Sequence, residues 1–264
     1  MAETLAKWAA RSAIVLVVGF ILALLIVPTL LVIPMSVSST SYLRLPPSGF
    51  SLRWYQAYFE DAEWMAATWF SLKIAALTTV TATIVGVMAA VALVRGRVPA
   101  HKTVQALILA PLIIPHIIVA LALYLQFAPM HLVGTTIGFV LAHTALAVPY
   151  VVLIVSAALS RLDQSLEMAA RNLGASPLLA FFEVTAPLTA PAIFAGAIFA
   201  FLASFDETIV SFFLSGVDNK TLTRKLFEDI DFNLSPIIAA ISTIVIVATI
   251  AVMSVGQIAR KAAR

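Results

Sequence analysis

The sequence predicts an all-α integral membrane protein: six transmembrane helices with one charged helix-turn-helix loop between the fourth and the fifth. Three observations predict it. Apolar residues make up 62% of the chain and charged residues 11%, against about a quarter charged in soluble domains. Stretches free of Asp, Glu, Lys and Arg cover 12–43, 74–94, 103–160, 184–205 and 232–259, and about 20 apolar residues cross a bilayer. These runs are continuously apolar rather than alternating, which excludes a closed β-barrel.

The first span, near 12–37, follows Lys7 and Arg11. It is longer than the roughly 7 to 15 apolar residues of a signal peptide, so it reads as a retained helix. Residues 39–66 carry Pro46-Pro47, Gly49 and many aromatics, the composition of an interfacial belt. The second span lies near 67–94. The run 103–160 is long enough for two spans, and Pro129 and Gly134 flank a break around His131. The third and fourth spans therefore fall near 104–127 and 135–159. The fifth, near 188–214, and the sixth, near 234–258, enclose a segment with Asp218, Glu228, Asp229 and Asp231 against Lys220, Arg224 and Lys225. That segment reads as a solvated connection.

Basic residues orient the bundle. With the N-terminus inside, Lys7, Arg11, Arg95, Arg97, Lys102, Arg161, Arg171, Arg260, Lys261 and Arg264 face the cytoplasm, ten of the sixteen. Arg44, Arg53, Lys73, Lys220, Arg224 and Lys225 face outward. Both termini and the 160–187 loop are then cytoplasmic. The net charge of +3 is no nucleic-acid signal, because the bases sit between apolar runs rather than on one patch.

The 160–187 loop is amphipathic. Leu162, Leu166, Ala169, Ala170 and Leu173 share one helical face, with Asp163, Gln164, Glu167 and Arg171 opposite. The Glu167-to-Arg171 spacing predicts an ion pair. Gly174 supplies a stop, and Ser176-Pro177 a cap and first position for a second short helix. On spacing alone this is a helix on the membrane surface.

Asp206 and Glu207 stand inside the apolar fifth span. An acid at a helix centre costs about 2.5 to 3.5 kcal/mol on the insertion scale, and such residues usually face a bundle interior or wet cavity. At about 100° per residue Glu207 shares a stripe with Ser204, Thr208, Ser211 and Ser215, the expected wet face. Asp206 points toward Leu202, Ile209, Val210 and Phe213 and reads as a contact to a partner chain or a backbone group.

Other chemistries find no support. There is no cysteine, and His101, His131 and His143 lack metal-ligand spacing, so each reads as a satisfied polar side chain. No G-x-x-x-x-G-K-[ST] cradles a nucleotide, and no Ser/His/Asp set has the supporting turns of a hydrolase. Neither a cofactor nor a catalytic residue is expected.

The loop also carries a resemblance. Ala169-Ala170, Gly174, Val184 and Pro187 match, in register, the E-A-A, three residues, Gly, nine residues, I-x-L-P signature of ABC importer permeases. Met168 replaces the signature acid, with Glu167 one residue earlier, and Ala186 replaces the leucine. The run from Ser204 to Gly216, "SFDETIVSFFLSG", is similar to the fifth-helix segment of spermidine/putrescine (polyamine)-type permeases of the methionine-permease-like family.

The resemblance implies a type I ABC importer permease fold in one transmembrane domain over 1–264, in a bacterial cytoplasmic (inner) membrane. Glu167, Ala169, Ala170, Arg171, Gly174, Ala175, Val184 and Pro187 would couple it to ATP-binding subunits. Asp206, Glu207, Ser211 and His116 would line the substrate pathway. The implied partners are two ATP-binding subunits, a second permease in a heterodimer, and a periplasmic solute-binding protein. His116 stands where polyamine-type relatives commonly show an acid, which lowers the negative potential along the path. A zwitterionic amine, such as GABA or an aminophosphonate, stays open beside a polyamine, and an ion-gradient-driven secondary transporter is the alternative class.

Overall fold

The structure, a computed structural model, describes residues 2–96, 98–216, 219–232 and 235–262. Arg97, Asp218 and Arg264, all charged in the sequence, lie outside the described residues. The elements are α1 (Ala2–Ser36), α2 (Arg53–Glu60), α3 (Ala62–Arg95), α4 (His101–Leu109) with a 3-10 turn over Ala110–Leu112, α5 (His116–Phe127) and α6 (Thr136–Leu159). They continue as α7 (Gln164–Asn172), α8 (Pro177–Ala180), a π turn over Phe181–Thr185, α9 (Ala186–Phe205), α10 (Ile209–Leu214), α11 (Leu222–Phe232) and α12 (Pro236–Ala262). Among the described residues five helices are long and apolar enough to cross a membrane, or six when α4 and α5 count as one bent span.

Two expected spans are broken. The third, expected over 104–127, bends by 99° between His101–Leu112 and His116–Phe127. Pro115 forces this, because it has no N–H to continue the ladder and its ring excludes the preceding helical turn. The fifth, expected over 188–214, ends at Phe205 and resumes at Ile209. The segment expected as a solvated connection holds α11, and the aromatic 39–66 segment holds α2.

The chain divides into two compact units. One comprises Met1–Asp61 and Asp229–Val247. Within it, the Trp54 indole donates to the Ser38 carbonyl at 2.9 Å, and the Ser36 and Tyr55 hydroxyls share a hydrogen at 2.7 Å. These bonds fold the α1–α2 connection back on itself. Leu16, Phe20 and Leu24 of α1 are exposed.

The other unit, Ala62–Glu228 with Ala248–Arg264, is built on α3, α6 and α9, which pack on one another. Small residues permit this: Ala82, Ala90, Ala147 and Ala200 are fully buried beside Val151, Val155 and Leu159. A methyl group at Gly86 would lie 2.6 Å from the Val151 Cβ, so that glycine is what lets α3 approach α6. Close approach through small residues replaces the missing hydrophobic drive between helices in lipid. The Thr81–Thr144 hydroxyl bond at 2.6 Å ties the same two helices. A second cluster, with Ile74, Ala120, Phe139, Leu146, Val210 and Leu214, joins α3, α5, α6 and α10.

Candidate functional site

The two breaks meet. Asp206 caps the C-terminus of α9, its N–H bonded to the Leu202 carbonyl. Glu207 then leaves the helix, and its Oε1 accepts the Val210 N–H at 2.9 Å, satisfying a donor that the first turn of α10 would otherwise orphan. Its Oε2 lies 3.1 Å from Nδ1 of His116, the first residue of α5 after the bend. Glu207 is 7% exposed and His116 40%. Irregular backbone in an apolar span is tolerated where protein buries it, and Glu207 is buried here.

His143 of α6 bridges the break. Its Nδ1 lies 2.9 Å from Ser204 Oγ at the end of α9, and its Nε2 lies 3.3 Å from Ser211 Oγ in α10. Ser211 donates to the Glu207 carbonyl at 2.7 Å, so it must accept from an Nε2–H. Nδ1 is then the acceptor for Ser204. A neutral imidazole satisfies both, which agrees with the sequence reading of His143 as a satisfied polar side chain. Thr223 also donates to the Glu207 carbonyl, at 3.3 Å.

The helical-wheel assignment of the two acids is corrected by the break. Glu207, expected on the wet stripe, is buried and held from both oxygens. Asp206, expected on the apolar side, is exposed, and no described residue bonds its carboxylate. A wheel assumes 100° per residue, and the chain abandons that rotation at 206–208.

The 160–187 loop obeys its local signals. Asp163 caps α7 by accepting the Ser165 N–H at 2.9 Å. That bond, from backbone to carboxylate, holds its pKa below the ordinary 3.8. At the other end Gly174, at φ +96°, closes a Schellman motif: its N–H reaches Arg171 O, and Ala175 N–H reaches Ala170 O. Ser176 accepts the Leu179 N–H at 3.2 Å with Pro177 at the first helical position. Val184 lies in the π turn and Pro187 in the first turn of α9.

The expected Glu167–Arg171 pair does not form. Glu167 binds Arg95 of α3 instead. Arg171 lines a shallow cleft of about 380 Å³ with Met168, Asn172, Ala175 and Pro177. The apolar side of the loop faces outward: Leu166, Met168, Leu173, Leu178 and Phe182 are exposed, Leu173 by 90%, while Ala170 is half-buried. Sequence reasoning missed Arg95, whose only signal was its place in the last turn of a span.

Between the fifth and sixth spans Lys220 and Arg224 both bind Glu228, at 2.8 and 2.9 Å. Burial pushes the Glu228 carboxyl up, and the two cations more than offset it, leaving the pKa below its ordinary 4.5. Among the described residues no group of three or more His, Cys, Asp or Glu could hold a metal ion.

Residues 82–264 match the family model of the binding-protein-dependent transport system inner membrane component. The chain belongs to this family. It is 35% identical over 240 residues to the putrescine transport system permease protein PotI of Escherichia coli, covering 88% of this chain and 84% of that one. It is 31% identical over 239 residues to the spermidine/putrescine transport system permease protein PotC of Haemophilus influenzae, covering 89% and 91%. Its fold is that of a bacterial ABC transporter involved in the import of the acidic polysaccharide alginate, with TM-score 0.73, 17% identity, and 97% and 96% of the two chains covered. The permease is thus a multi-pass membrane subunit of an ABC importer with the type I fold. The gradient-driven alternative falls, and broken helices, usually taken as a mark of secondary transporters, occur in this importer subunit too.

Proposed function

We propose that this permease conducts a polyamine, such as putrescine or spermidine, into the cytoplasm, with Asp206 as the carboxylate offered to the amine. The observation that carries the reading is the division between the two acids. Glu207 is buried and bonded to Val210 and His116, so its charge has an internal partner. Asp206, one residue earlier, is exposed without one. His116 and Ser211 then belong to the pathway as the groups that fix Glu207 beside it. The names of the PotI and PotC relatives support the substrate class.

The whole chain acts as one permease domain with both termini cytoplasmic. A periplasmic solute-binding protein delivers the amine to a cavity shared with a second, non-identical permease. One of two ATP-binding subunits docks on the exposed apolar residues of α7 and α8, the other on the second permease, and the two hydrolyse MgATP. Their closure displaces the loop and opens the cavity outward, and hydrolysis returns it inward.

An opposite charge at about 4 Å is worth about 4 kcal/mol at an effective dielectric of 20, much of it offset by dehydrating the amine. Asp206→Asn should therefore reduce putrescine uptake by the complete complex in proteoliposomes about tenfold to a hundredfold, with normal complex yield. Wild-type uptake by that variant would overturn the site. Preferred uptake of a zwitterionic amine by the wild type would overturn the substrate class.

A further inference from the structure

We infer that Arg95 is a positioning residue that transmits displacement of α7 into the membrane-spanning helix α3, through a guanidinium fork on Glu167 and Leu162. The inference rests on the reading that α7 docks on an ATP-binding subunit, and it names a connection which that reading leaves open. A short loop helix displaced by a partner moves the bundle only if it is tied to the bundle.

The backbone gives one tie, running from α8 through the π turn into α9. The side chains give another. Arg95 is the last residue of the 34-residue α3. Its Nε donates to Glu167 Oε1 at 3.0 Å, and its NH2 donates to the Leu162 carbonyl at 2.9 Å. One planar group thus holds both α7 and the turn leading into it. Two donors in a rigid fork fix direction as well as distance, which a single flexible contact does not.

The setting favours persistence of the contact. Arg95 and Glu167 are 13% and 22% exposed, drier than the surface pairs that contribute little. Arg95 sits in the last turn of α3 and Glu167 in the first turn of α7, so each charge also matches the dipole of its own helix. The neighbouring base at helical spacing, Arg171, is left exposed on the loop. Because α3 packs against both α6 and α9, a pull at Arg95 reaches the three-helix core. It acts on the end opposite Glu63 at the start of the same helix.

The test uses the complete complex with its ATP-binding subunits and binding protein. Arg95→Ala should keep co-purified ATPase at the wild-type level and lower amine uptake per ATP hydrolysed about tenfold, within the usual range of coupling between sites. Glu167→Ala should behave alike. The exchange Arg95→Glu with Glu167→Arg should recover a minor part of the loss, because it rebuilds the charge pair but not the bond to Leu162 and sets both charges against their helix dipoles. A purely structural role would lower yield and thermal midpoint without changing the ratio of uptake to hydrolysis.

If Arg95→Ala does not accumulate, Arg95→Lys carries the test, since it keeps the charge but spans only one of the two acceptors. An unchanged ratio in Arg95→Ala, or in Arg95→Lys where the alanine variant is absent, overturns the inference. So does loss of bound ATPase in Glu167→Ala, which would make Glu167 a docking contact. Absence of ATPase from the wild-type complex would instead refute the docking reading itself.

Discussion

The 160–187 loop and the break at 206–208 both interrupt helix in the same apolar chain, and they differ in how far their partners lie along the sequence. The helix ends of the loop are capped by their own neighbours in sequence, with Arg95 as one distant tie. Asp163 caps α7 through a bond only two residues long, Gly174 stops that helix with bonds no longer than five residues, and Ser176 starts α8. The break adds to its local bonds, Glu207 with Val210 and Ser211, two partners from far away, His116 of α5 and His143 of α6. Water can satisfy an exposed helix end, so weak local caps suffice there. In an apolar span every freed N–H and C=O needs a protein partner.

The sharpest way to break this comparison is Glu207→Leu. It orphans the buried Val210 N–H, which costs about 1 to 3 kcal/mol, and also removes the partner of His116. The folded subunit should largely disappear from detergent extracts, whereas Glu207→Gln should retain part of it. Equal yields of wild type and Glu207→Leu would show that the carboxylate does not hold the break.

His143→Leu comes next. It leaves Ser204 and Ser211 without their bridge, a loss of about 1 to 3 kcal/mol, read as a lower thermal midpoint with α6 otherwise intact. His143→Gln should recover part of the stability if the bridge is the cause.

Gly174→Val tests the loop. A left-handed residue with a branched side chain costs about 1 to 2 kcal/mol, confined to an exposed turn that opens locally. The global midpoint should hardly move, while retention of the ATP-binding subunits falls. A midpoint shift as large as that of His143→Leu would mean the loop is not a local structure.

The smallest effect is at Asp163. Its folded pKa lies below its ordinary 3.8, so its capping contribution is complete above 3.8 and fades only as pH falls through the lower folded value. Hydrogen exchange of α7 amides, corrected for intrinsic rate, should be the same at pH 7 and pH 5. Asp163→Ala should raise it at both, and Asp163→Asn, an equally good cap, should not.

The same contrast separates the features legible in the sequence from those that are not. The Gly174 stop and the Ser176-Pro177 start are legible because their partners lie within a few residues. The Glu167–Arg171 pair misleads because spacing permits it without requiring it, and Arg95, 72 residues upstream, competes from another helix. Pro111 and Pro115 hint at a bend in the third span, yet proline is tolerated inside α1, α6 and α9. Nothing local separates the proline that breaks from those that do not.

The sequence by itself determined the membrane class, the apolar runs that build the long helices, the capped loop and the family signature. Each of these comes from composition or from contacts along the chain. Only the tertiary structure decided which acid is buried, where the third and fifth spans break, and which base binds Glu167. The physical reason is common to all three. A polar group in an apolar bundle takes whichever partner packing brings within about 3 Å, and that partner is chosen by folding rather than by proximity in sequence.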